Sequence, residues 1–181
     1  MAFDLQPRLS DRWIRLEPLA IRDFEALYAV AADPLIWALH PNKDRYQREV
    51  FAAYFNGAVE SRGAFCVYDK ASGALIGSSR YYALDEAACC VAIGYTFIAR
   101  SHWGGQCNRA LKGLMLEHAF RFVDRVIFHV GAANLRSRRA MEKLGGVLIG
   151  ETTMSYSGEP SHPNVIYKID RDDWEQQQRP Q

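Results

Sequence analysis

Two short stretches of this chain carry residue types suited to holding a phosphate. The first is Trp103-Gly104-Gly105-Gln106-Cys107-Asn108-Arg109, set between an alternating apolar run and a helical one. Glycines at such a junction let the backbone come close to a ligand, and the N–H groups of a helix's first turn attract an anion through hydrogen bonds and the helix dipole. A pyrophosphate suits that chemistry; a tight strand-to-helix turn is the plainer alternative. The second is Asn134-Leu135-Arg136-Ser137-Arg138-Arg139, where Asn134 is a good N-cap and the arginines make a patch for phosphate or carboxylate. An ordinary capped helix with a solvated charged face is its alternative. Among the histidines, His118 lies on an apolar helical stripe and His129 inside a short apolar strand, so both read as satisfied core residues. His102 abuts the glycine turn and reads as positional.

The elements that must position these residues follow from hydrophobic period. Residues 13–19 alternate and end in a turn signal, as a strand does, and Phe24, Leu27, Tyr28 and Ala31 predict a helix that stops before Asp33-Pro34. A second helix is predicted from Arg45 to Glu60, with Phe51, Tyr54, Phe55 and Ala58 on one stripe. Strands follow at 64–68, 74–83 and 88–98, the first two joined by a loop of hairpin type at 69–73. Cys107, Leu111, Leu114, Met115, His118, Ala119 and Phe122 then recur at helical spacing. Val126 to Val130 is a short strand, Asn134 opens a helix to Leu144 that Gly145-Gly146 stops, and strands are predicted at 147–154 and 165–169. The tail, 171–181, is expected to fray. This order predicts an α+β or mixed α/β layout around one sheet, in a single domain spanning 1–181.

The glycine turn and the Asn-x-x-Ser helix in tandem resemble the acetyl-CoA-binding half of the GNAT superfamily of N-acetyltransferases. The chain is similar in particular to the Rim-type branch, the ribosomal-protein N-terminal acetyltransferases. Ile93-Gly94-Tyr95, Trp103-Gly104, the segment from Asn134 to Gly145, and Arg15-Leu16-Glu17-Pro18-Leu19 with Arg22-Asp23 carry the likeness, which covers nearly the whole chain. It implies a single, mostly antiparallel sheet flanked by helices, with acetyl-CoA as co-substrate and no metal. It also implies direct attack by a primary amine, in a ternary complex. The resemblance lays the pantetheine arm along Tyr95, Thr96, Phe97 and Ile98, and the pyrophosphate on the backbone of Gly104, Gly105, Gln106, Cys107, Asn108 and Arg109. It turns Asn134 to the pantetheine and Ser137 to the sulfur, adds Arg139 to the cofactor contacts, and uses an N–H near Phe97 to polarise the thioester carbonyl. Trp37, His40, Tyr82 and Tyr156, in the less family-fixed parts, are candidates for the acceptor pocket.

Three departures bear on chemistry. The glycines are adjacent, and the turn is one residue shorter than the common Gly-x-Gly pattern. Met141 stands where many members have a tyrosine acid, which leaves Ser137 as the better proton donor. Ala92 stands where relatives carry a glutamate, so a general base is missing. Without a strong base a low-pKa amine is the easier acceptor: an α-amine is neutral in roughly a tenth of molecules near pH 7, a lysine amine in well under about one in a thousand. A peptide N-terminus or a small amine is therefore expected. The departures keep a catalytically silent CoA-binding module open as an alternative, and a non-enzymatic interaction domain as a more remote one.

Bulk composition narrows the partners. The chain has 181 residues, 49% hydrophobic and 24% charged, enough for one full core. Its 22 basic against 21 acidic side chains leave a formal net charge of +1, which gives no field for nucleic acid or membrane. No secretory leader or apolar run of membrane-spanning length is read, so a cytoplasmic monomer or homodimer is expected. The four cysteines have neither the spacing of a zinc site nor that of a usual disulfide.

Overall fold

The computed structural model describes residues 2–155 and 159–179. In chain order the strands are β1 (Leu9–Ser10), β2 (Ile14–Pro18), β3 (Ala64–Asp69), β4 (Leu75–Asp85), β5 (Cys90–Ile98), β6 (Arg125–Gly131), β7 (Val147–Met154) and β8 (His162–Asp170). The helices are α1 (Phe24–Ala31), α2 (Pro34–Trp37), α3 (Arg48–Glu60), α4 (Cys107–Ala119), α5 (Leu135–Lys143) and α6 (Arg171–Gln178). Among the described residues the strands form one sheet in the order β1-β2-β3-β4-β5-β6-β8-β7. Every neighbouring pair is antiparallel except β5 with β6. The α+β expectation therefore holds.

The sheet's centre is buried on both faces, which β3 shows residue by residue. Ala64 and Cys66 pack with Leu27, Phe51 and Phe55 from α1 and α3, while Phe65 and Val67 pack with Leu111 and Met115 from α4. A strand covered on both sides needs no polar alternation, and β3 has none.

Several boundaries differ from the predicted ones. Asp33-Pro34 ends α1 but also starts α2: the extended backbone imposed before proline makes Asp33 an N-cap, and its side chain accepts a hydrogen bond from Leu35 N–H at 3.0 Å. The helix read from Arg45 begins at Arg48, because Gln47 is extended. Arg45 is thereby freed to turn inward, where it is buried. α4 ends at Ala119 rather than Phe122, although the Phe122 ring still packs on the core. The segment expected to fray forms α6 up to Gln178, pinned by buried Trp174.

The join between β5 and β6 positions the site. These strands pair only at Cys90↔Arg125, Val91↔Val126 and Ala92↔Ile127. Beyond that point β5 stays with β4, β6 stays with β8, and the sheet splits.

Candidate active site

A cavity of about 740 Å³ lies in the split. One wall is β5 from Ile93 to Ile98, the other is β6 from Phe128 to Gly131, and the first turns of α4 and α5 close the end. Past Ala92 the outer edge of β5 has no strand partner, so its polar backbone groups face the cavity.

That edge is bent by a β-bulge. Phe97 pairs with Ser78 and Gly94 with Arg80, so Tyr95 and Thr96 together oppose Ser79. Tyr95 takes a left-handed φ of 52°, a conformation costing on the order of 1–3 kcal/mol in a side-chain-bearing residue. Its carbonyl accepts from the Tyr54 hydroxyl at 2.6 Å, and the Arg80 guanidinium lies 3.9 Å from its ring centre. These contacts hold the bulge. Ala99 N–H donates to the Ile76 carbonyl at 2.7 Å. The alternation of an antiparallel ladder then turns the amide of Phe97 toward β4 and that of Ile98 toward the cavity. The Phe97 ring is buried beside Trp37, and of the two amides it is that of Ile98 that meets the open side.

At the end of β5 the Trp103 indole donates to the Ile98 carbonyl at 2.8 Å, and the Arg136 guanidinium stacks 3.8 Å from the Trp103 ring centre. This ties the turn before α4 to the start of α5. Gly104 has φ 72°, the left-handed conformation that glycine adopts freely. Gly104, Gly105, Gln106, Asn108 and Arg109 line the cavity; the Cys107 side chain turns to the core, leaving that residue only its backbone to contribute. Across the gap Asn134, buried, accepts from Ser137 N–H at 3.1 Å as the cap of α5. Ser137, Arg139 and Met141 also line the cavity, Met141 with its side chain packed into the core. The glycine turn and the capped helix, read separately from the sequence, therefore converge on one space.

Sequence reasoning missed Lys112. It lies in α4 only 4% exposed, lines the cavity, and donates to Thr96 Oγ1 at 2.6 Å. Burial pushes its ammonium down to about 7, so it is a cation only part of the time at neutral pH. A lysine beside a leucine on an apolar stripe carries no local sign that its head group turns inward.

The opposite face of the split holds the acceptor candidates. Trp37 is 1% exposed, and its indole donates to the Ala31 carbonyl at 2.8 Å, so it is a core residue that also forms cavity wall. His40 lines the same wall, pushed down to about 3 by burial and by the Arg45 charge. Arg45 is held by both oxygens of Glu159, at 2.8 and 3.0 Å, in an ion pair nearly closed to water. Tyr82 reaches across β5 to His129, its hydroxyl 2.7 Å from Nδ1. His129 lines the cavity, which corrects its reading as a core residue. His118 fits that reading, buried with Nε2 2.7 Å from the Asp4 carbonyl oxygen. Tyr156 lies outside the described residues. Among the described residues no group of metal-ligating side chains is found.

A family model for the acetyltransferase (GNAT) domain matches residues 14–147. The chain belongs to this family, whose reaction is acetyl transfer from acetyl-CoA to an amine. Solved structures agree in fold. An acetyltransferase from T. thermophilus is 26% identical, with a TM-score of 0.76 over 93% of this chain and 92% of that one. A GCN5-related N-acetyltransferase from Brucella melitensis is 22% identical, with a TM-score of 0.81 over 94% and 81%. Mycobacterium smegmatis RimJ, solved in complex with CoA-disulfide, is 19% identical, with a TM-score of 0.69 over 92% and 87%. Among curated proteins there is no significant match.

Proposed function

We propose that the chain transfers acetyl from acetyl-CoA to a low-pKa primary amine, such as a peptide N-terminal α-amine or a small-molecule amine, by direct attack in a ternary complex. The split between β5 and β6 carries this reading: an unpaired strand edge runs beside two helix N-termini in a cavity large enough for an elongated ligand. Bound acetyl-CoA supplies the thioester. The β5 edge from Tyr95 to Ile98 pairs with the pantetheine amides as an added strand would. The amides from Gly104 to Arg109, with Arg139 opposite, hold the pyrophosphate. Asn134 faces the pantetheine, and the Ser137 hydroxyl, one helical turn before Met141, gives a proton to the departing sulfur. The carbonyl oxygen is polarised by a backbone N–H near Phe97, a reading that the outward-facing amide of Ile98 supports. The Rim-type segments at Ile93-Gly94-Tyr95 and from Asn134 to Gly145 favour a protein α-amine, while the distant RimJ structure speaks for the fold alone.

Calorimetric titration with acetyl-CoA, followed by free-thiol release over a panel of amines, tests the proposal. Micromolar binding, weakened at least about tenfold by Asn134→Ala, and faster turnover of a peptide with only a free N-terminus than of one with only a free lysine are expected. Absence of binding would remove the cofactor site, binding without turnover would remove the transfer, and a faster lysine would reverse the acceptor preference.

A further inference from the structure

A base is the one component that the sequence leaves unassigned, since Ala92 occupies the position of the usual glutamate. Among the described residues lining the cavity there is no aspartate or glutamate either. Glu159, the carboxylate that meets the cavity-lining Arg45, is committed to it through both oxygens. The remaining proton acceptors are imidazoles and two lysines, of which Lys143 is exposed in the last turn of α5. His40 has Asn42 N–H at 3.1 Å from Nδ1 and an Arg45 N–H donor 3.3 Å from Nε2, so neither nitrogen offers a free lone pair. His102 sits by the glycine turn, bonded to Ser101, at the phosphate end. Lys112 belongs to α4, on the cofactor side of the sheet, and is tied to Thr96.

His129 is left, and its setting differs from that of a core histidine. Tyr82 stands on β4 and His129 on β6, with β5 between them, a span of about two strand spacings or roughly 9–10 Å. The tyrosine covers it by passing directly over Gly94. A Cβ at Gly94 would lie 2.9 Å from Tyr82 Cε1 and 3.2 Å from its hydroxyl oxygen. The glycine therefore makes the Tyr82–His129 contact sterically available. The contact occupies Nδ1, which leaves Nε2 for the cavity.

We infer that His129, oriented by Tyr82, is the group that takes the proton from the acceptor amine, an inference that rests on the acetyl-transfer reading above. The proton balance is simple. The ammonium gives one proton to His129 Nε2 while Nδ1–H donates to the tyrosine oxygen. The freed amine nitrogen bonds to the thioester carbon, the carbon–sulfur bond breaks with its electrons on sulfur, the Ser137 hydroxyl gives that sulfur its proton, and the second nitrogen proton restores the hydroxyl. The products are an amide and a thiol, and the imidazolium returns its proton to water. Burial holds the His129 ring below its ordinary value, so the ring is neutral and ready to accept near pH 7. The groups facing it are Tyr82 from β4, with Tyr95 of β5 against that ring, and Lys168 two residues from its β8 partner and already bound to Asp170. Arg45 and Lys112 stand farther along the cavity wall.

The test is the pH dependence of kcat/KM for a peptide α-amine in wild type, His129→Gln and Tyr82→Phe, with acetyl-CoA affinity measured on each. His129→Gln is expected to bind acetyl-CoA within about twofold of wild type. It should lose kcat/KM by about 10²–10³ at pH 7, shed one ascending limb of the profile, and approach wild type at high pH, where the amine is already neutral. Tyr82→Phe should lose less and move the same limb. Wild-type turnover with an unchanged profile in His129→Gln would overturn the inference and leave acetyl transfer standing; should that variant not fold, an unmoved limb in Tyr82→Phe would overturn it instead. Acetyl-CoA binding with no turnover of any amine by wild type would overturn the transfer reading itself.

Discussion

His40 has a hydrogen-bond donor aimed at each ring nitrogen, from the Asn42 amide and the Arg45 guanidinium, and a neutral imidazole satisfies only one of them. Burial and the Arg45 charge therefore hold its pKa at about 3 instead of 6.5. Between those values the unfolded chain binds a proton that the folded chain refuses. The stability tied to this ring is complete above pH 6.5 and drains away as the pH falls through 3. Urea unfolding of wild type and His40→Gln at about pH 7 and about pH 4 should show wild type losing about 2–3 kcal/mol more than the variant across that interval. Equal losses would mean that the folded ring titrates normally. At this scale the sequence was legible where a backbone rule applied: Asn134 as a cap, and Gly145 as a left-handed helix stop. It was silent on the inward turn of Arg45 and Lys112 and misleading on His129, whose roles depend on which element lies opposite them, and no local pattern encodes that.

Strand β5 was readable as a strand over 88–98 but not as a bent one. A bulge whose left-handed residue is tyrosine leaves no mark of the kind glycine leaves, and it is stabilised by Tyr54 and Arg80, residues distant in the chain. Helix α6 was missed for a different reason: Arg171-Asp172-Asp173-Trp174-Glu175 offers Trp174 alone as an apolar anchor, so no stripe exists to detect. Gly94, by contrast, is visible in the sequence as the centre of Ile93-Gly94-Tyr95, but the ring that passes over it is not. Substitution by alanine should push the Tyr82 ring off His129, lower the urea stability by about 1–3 kcal/mol through crowding, and reproduce the altered pH profile of Tyr82→Phe. A Gly94→Ala protein with the wild-type profile would show that Tyr82 reaches His129 by some other route.

The order of the elements and the single sheet were legible because both faces of the sheet are covered by helices with clear apolar periods, and most turns between the elements carry glycine, proline or an N-cap. The split was not, because the apolar runs of both β5 and β6 continue past the point where the two strands part. Arg45 and Glu159 bridge the open side, joining the segment before α3 to the segment before β8. Among the described residues the sheet consequently consists of two blocks, β1 to β5 and β6 to β8, whose strands pair with each other at only three positions. Each block is internally antiparallel and so has its own ladder cooperativity. In native-state hydrogen exchange the junction should act as a fault line, opening at a lower free energy than either block unfolds. A ligand lying in that fault is a removable rung between the blocks, and at a hundredfold excess over Kd it should raise the opening energy by about 2.7 kcal/mol. Added acetyl-CoA is thus expected to slow exchange along Ile93 to Ile98 and along Phe128 to Gly131 together. Slowing confined to the first turn of α4 would mean that the blocks are already locked without it.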